Sequence, residues 1–131
     1  MKMFTQPIDI RFFDIDMNHH VNNSVYFTYM ENARTALLMD EFLHCKEQGL
    51  TFVISETSCK YKNPMRLGDR VICEMVFTLK RPVQFEVSYT FKNKDSHLVY
   101  ALGYTQVVMI NEAKNRPVPI PQAFIDRYVN K

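Results

Sequence analysis

Residues 22–45 read NNSVYFTYMENARTALLMDEFLHC. Tyr26, Met30, Ala33 and Leu37 follow one another at steps of four, three and four, and Tyr29, Ala36 and Leu38 widen the apolar stripe. That period is helical. Asn22, Asn23 and Ser24 are all residue types that cap helix starts, so the spacing predicts a helix that opens there and closes near Cys45, ahead of Gly49. A stripe this broad belongs to a buried helix, and the rest of the chain must cover it.

Past Gly49 the texture turns to β. Residues 50–62 (LTFVISETSCKYK), 69–80 (DRVICEMVFTLK), 83–93 (VQFEVSYTFKN) and 98–110 (LVYALGYTQVVMI) are rich in Val, Ile, Thr, Tyr and Phe and partly alternate. Turn residues join them, in NPMRLGD, RP and KDSH. Connections this short predict an antiparallel meander of four strands, because parallel neighbours need a crossover of a dozen residues or more. Upstream, FTQPIDIRFF over residues 4–13 reads as a further strand, and the proline-punctuated tail over residues 115–131 ends in a short helix. The expected class is α+β: strand, long helix, four strands, with the antiparallel sheet wrapped round the helix in one domain spanning residues 1–131. Such a sheet keeps free edges, and pairing between two copies would close one, which predicts a homodimer.

Composition narrows the function. The chain has 131 residues, 15.5 kDa and 47% hydrophobic content, enough for an ordinary core. Its 16 basic and 14 acidic residues leave a charge of +2 with no runs, so no nucleic-acid footprint stands out. No segment approaches a membrane span and the start has no apolar signal region, so a soluble, unexported, cytoplasmic protein is expected. Cys45, Cys59 and Cys73 are odd in number and lack metal-ligand spacing, which fits reduced thiols. Neighbouring His19 and His20 diverge and His44 and His97 are isolated, so neither a metal nor a cofactor is expected.

The chemistry concentrates just before the helix, in FFDIDMNHHVNNSVYFTY over residues 12–29. In an extended backbone Asp16, Asn18 and His20 share one face, a carboxylate, an amide and an imidazole together. Helical geometry would instead pair Asp16 with His20 and send Asn18 elsewhere. The unpaired N–H groups of a helix start suit an oxyanion developing on a carbonyl, and Asn23 and Ser24 are the expected donors. A carboxylate within reach could activate water there, or attack directly. Each residue also has a plain structural role open to it: Asp16 as a capping acid, Asn22 and Asn23 as caps, His20 as a buried hydrogen-bonded ring. Asp14 reads as structural or as an electrostatic neighbour, and Glu31 with Arg34 as an ordinary i, i+3 pair or a helix anchor. Lys60, Lys62 and Arg66 are candidates for nucleotide phosphates.

RFFDIDMNHHVNNSVYFTYMENAR, residues 11–34, resembles the signature of the hotdog-fold thioesterases, the 4-hydroxybenzoyl-CoA thioesterase-like group: D-x-D, then H-V-N-N, then Y-x-x-Y-x-E-x-A-R. YKNPMRLGDRV (residues 61–71) and RPVPIP (residues 116–121) resemble its later motifs, so the likeness spans nearly the whole chain. It implies a sheet wrapped round a central helix, a homodimer or homotetramer with sites at the subunit interface, and hydrolysis of an acyl thioester on coenzyme A or acyl carrier protein. The family's general base or nucleophile matches Asp16, and its carbonyl-polarising N–H matches Asn23. DMNHHVNN is also similar to the D-x-N-x-H-V-N-N of acyl-ACP thioesterases, whose catalytic residues match Asp16, Asn18 and His20. Where many relatives carry Gly before H-V-N-N, this chain has His19. The rival readings are a hotdog dehydratase or hydratase acting on an acyl thioester, and a non-catalytic acyl-thioester binding module.

Overall fold

The computed structural model describes residues 1–130. Helix α1 runs Val25–Glu47, slightly beyond the predicted end, and closes where Gly49 takes φ +74, a left-handed turn that glycine makes without steric cost. Its buried side is Tyr26, Tyr29, Met30, Ala33, Leu38 and Cys45; of the predicted stripe, Leu37 is half-buried and Ala36 exposed. Strands β1 (Phe4–Ile8), β2 (Leu50–Tyr61), β3 (Val71–Arg81), β4 (Gln84–Asn93) and β5 (Val99–Asn111) form one antiparallel sheet in the order β1-β3-β4-β5-β2. A short β6 (Arg116–Pro117) pairs β5. After α2 (Gln122–Tyr128), β7 (Val129–Asn130) lies parallel to β3 beyond the reach of β1.

Three expectations change. The meander holds for β3, β4 and β5 only, while β2 pairs β5 from Leu50↔Asn111 to Tyr61↔Ala101 at the sheet's far edge. The connector over residues 62–70 is long enough to cross three strand spacings of about 4.8 Å each, so a short link did not require β2 and β3 to be neighbours. The first strand stops at Ile8, and residues 12–14 form a 3-10 turn instead. Pro7 fits in β1 because that strand is an edge. Glu31 and Arg34 form no ion pair among the described residues; Arg34 Nη1 donates instead to the Tyr89 hydroxyl at 3.2 Å, which anchors the helix to β4.

Alternate residues of β3 (Val71, Cys73, Met75, Phe77) and β4 (Phe85, Val87, Tyr89, Phe91) supply the buried face of the sheet. Met30 reaches β5 at Gly103, where a built Cβ would collide with its terminal methyl, so the helix sits close because this residue has no side chain. At the other end of the core α2 lays Phe124 on Phe85, with ring centroids 5.1 Å apart. Among the described residues no helix is long and apolar enough to cross a membrane.

Candidate active site

The approach to α1 is a closed turn, neither strand nor helix. Asp16 N–H donates to the His20 carbonyl at 2.9 Å and His19 N–H to the Asp16 carbonyl at 3.1 Å, while Ile15 and Val21 pair as a β-bridge beneath. His19 takes φ +64 to complete the turn. The Asp16 side chain closes the loop from inside, its Oδ1 accepting the N–H groups of Asn18 (2.9 Å) and His20 (3.4 Å). Oδ2 has no protein donor among the described residues. One carboxylate oxygen is thus held by backbone and the other is free for chemistry.

The helix start is capped by Asn22, whose Oδ1 accepts Ser24 N–H at 3.0 Å and Ser24 Oγ at 2.9 Å. The Ser24 side chain, in the N-cap position, makes no capping bond. Ser24 N–H is therefore occupied, which removes it as an expected oxyanion donor. Asn23 N–H has no acceptor among the described residues. Its own carbonyl accepts the Tyr61 hydroxyl at 2.8 Å, so the end of β2 holds the start of α1 in place.

Asp16, Asn18, His20 and Asn23 line one cavity of about 590 Å³, with Tyr26 and Tyr61 beside them. The backbone is not extended here, yet Asp16, Asn18 and His20 still line one cavity, because the Asp16 carboxylate holds the backbone N–H groups of Asn18 and His20 in a turn. Arg66 Nη2 lies 3.4 Å from His20 Nε2. A guanidinium only donates, so in this contact the ring nitrogen is the acceptor. Of the phosphate candidates, Lys62 lines the cavity and Arg66 touches His20, whereas Lys60 does neither. Tyr61 had no role in the sequence reading; its signal was the Y-x-x-P beginning at that residue.

Asp14 answers the question left open for it. Its carboxylate is buried, and Oδ2 accepts the Tyr29 hydroxyl at 2.6 Å and Arg11 N–H at 2.9 Å while Oδ1 accepts Arg11 Nη2 at 3.1 Å. Burial works against its charge, but the Tyr29 and Arg11 hydrogen bonds outweigh burial and hold the carboxyl below its ordinary pKa. The thiols are poor nucleophiles: Cys45 and Cys73 are buried, and burial pushes Cys59 up to about 11.

A second cavity of about 410 Å³ lies between α1 and the opposite end of β2, walled by Leu38, Phe42, Phe52, Phe85 and Val107 with Arg34 at its side. It is apolar where the first is polar.

Comparison with known proteins gives a consistent result. The chain is 27% identical over 94% of its length to the chloroplastic acyl-acyl carrier protein thioesterase ATL3 of Arabidopsis thaliana, of which it spans 66%. It is 23% identical over 96% of its length, and 96% of the relative's, to the acyl-CoA thioester hydrolase YbgC of Escherichia coli. Among solved structures, Slr0204 of Synechocystis, a 1,4-dihydroxy-2-naphthoyl-CoA thioesterase, superposes with TM-score 0.85 at 20% identity, covering 94% of this chain and 93% of that one. A Thermus thermophilus thioesterase solved with coenzyme A and zinc gives TM-score 0.78 at 27% identity, covering 95% and 90%. A family profile described as the thioesterase-like superfamily matches residues 10–127. With the hotdog sheet, its central helix and nearly the full length matched, the chain belongs to the thioesterase-like superfamily.

Proposed function

We propose that this chain, a thioester hydrolase by family, cleaves an acyl thioester of coenzyme A or acyl carrier protein with Asp16 as general base or nucleophile. The observation that carries the reading is that the free Asp16 oxygen and the unpartnered Asn23 N–H stand at one cavity. The thioester carbonyl accepts from Asn23 N–H, and the oxyanion that forms is stabilised by that donor and the positive end of α1. Asp16 takes a proton from water as the oxygen attacks the carbonyl carbon, with Asn18 and His20 orienting water and carboxylate. Collapse of the tetrahedral species breaks the C–S bond and releases a thiolate. That leaving group is weakly basic, so the site works without a dedicated acid.

The assembly proposed is a homodimer or homotetramer. Among the described residues the outer edge of β2 is unpaired, and Val53 (44% exposed) and Ile54 (38%) stand on that strand. Antiparallel pairing of two β2 strands would bring the Tyr61 end of one copy, at its polar cavity, beside the Thr51–Ile54 end of the other, at its apolar cavity. Three free thiols support a reducing compartment, the cytoplasm.

The test is thiol release across acyl-CoA chain lengths, aromatic acyl-CoAs and acyl carrier protein thioesters, with Asp16→Ala beside the wild type. The variant is expected to fold and to lose about a hundredfold or more in turnover. Near wild-type turnover by Asp16→Ala removes Asp16 from the mechanism. An enoyl thioester consumed without thiol release would identify a hydratase instead.

A further inference from the structure

Asp14 is the one charged side chain buried among the described residues, and hydrolysis as derived above gives it no role. A buried carboxylate costs several kcal/mol unless fully hydrogen-bonded, by order of magnitude, and often adds nothing to stability over an apolar replacement. Its place in the loop shows what it can do. Its side chain accepts from Arg11 N–H, Arg11 Nη2 and the Tyr29 hydroxyl, and its backbone carbonyl accepts Asn22 N–H at 2.8 Å. Tyr29 is in the second turn of α1, Asn22 caps that helix, and Asp16 follows Asp14 by two residues. Asp14 therefore ties the base of this loop to the helix twice, by its carboxylate to Tyr29 and by its carbonyl to Asn22, beside the Ile15–Val21 bridge.

We propose that Arg11, Asp14 and Tyr29 are positioning residues for the reaction: they fasten the base of the Asp16–His20 loop to α1, so that the Asp16 carboxylate and the Asn23 N–H keep a fixed separation. The inference rests on the reading of Asp16 given above. Loss of the Tyr29 hydroxyl frees the loop by fractions of an ångström to an ångström, which is enough to cost about a hundredfold in rate without weakening substrate binding.

The test is Tyr29→Phe, read in three ways. Amide exchange at Asp16 and Asn22 is expected to quicken by about tenfold while β3 to β5 stay protected. In thiol release, kcat is expected to fall about ten- to a hundredfold with KM changed less than about threefold. The third reading is pH. The groups facing Asp14 are the Tyr29 phenol from α1 and the Arg11 guanidinium from its own turn. Without the phenol the carboxyl protonates at higher pH, so the acid limb of kcat moves upward. A contact of purely structural value lowers Tm and leaves that limb and kcat in place.

Asp14→Asn, which cannot accept all three donors, is the second variant should the first not fold, with the same expectations for exchange and kcat. Unchanged exchange at Asp16 and Asn22, or wild-type kcat in a folded variant, overturns the proposal. If the wild type releases no thiol at all, the hydrolase reading falls, and the exchange result alone decides the positioning role.

Discussion

His19, which stands where the family resemblance leads one to expect glycine, takes a left-handed φ of +64, a conformation that glycine adopts without steric cost. A left-handed backbone costs a residue with a side chain about 1–2 kcal/mol, and more for a β-branched one. His19 is exposed, so packing does not set the outcome there. His19→Val is predicted to unfold in urea with about 1–2 kcal/mol less stability than His19→Gly. Equal stabilities for the two would show that the turn is not strained. The same residue marks the limit of legibility at this scale. Residue types and spacing brought Asp16, Asn18, His20 and Asn23 forward as candidates, and all four line one cavity. They could not reveal a turn closed by the Asp16 carboxylate, since that turn depends on one left-handed dihedral that histidine does not advertise. The choice between Ser24 and Asn23 as donor depended likewise on which amide the Asn22 side chain would occupy.

At the scale of elements, α1 was legible because its stripe is a local pattern and the packing partner only had to be apolar. Strands β1 to β5 were legible too, apart from the early stop of β1, whereas the two-residue strands β6 and β7 lie in a tail that read only as proline-punctuated with a short helix. Their order was not. Whether β2 lies beside β3 or beyond β5 is decided by pairing between residues far apart in sequence, and nothing in a strand's own alternation names its neighbour. The placement of β2 carries the assembly with it. An unpaired edge running Leu50–Tyr61 is a template for another strand. Sedimentation at micromolar concentration is predicted to give at least twice the 15.5 kDa chain mass. A species of single-chain mass at that concentration would contradict the pairing.

Across the whole molecule, the sheet, the helix and the pre-helix turn serve one geometric purpose. The core from β3 and β4 fixes α1, Tyr61 at the end of β2 fixes the Asn23 carbonyl, and Asp14 with Tyr29 fixes the loop carrying Asp16. A polar cavity lies at one end of the helix and an apolar one farther along it. All of this depends on the Asp16 carboxylate and the Asn23 N–H addressing the same carbonyl. The most direct measurement is the amide spectrum of ¹⁵N-labelled Asp16→Asn, saturated with an acyl thioester that the wild type hydrolyses. The Asn23 amide proton is predicted to move downfield as it gains an acceptor, by more than the amides of β3 to β5. A bound substrate that leaves the Asn23 resonance where it was would contradict the account.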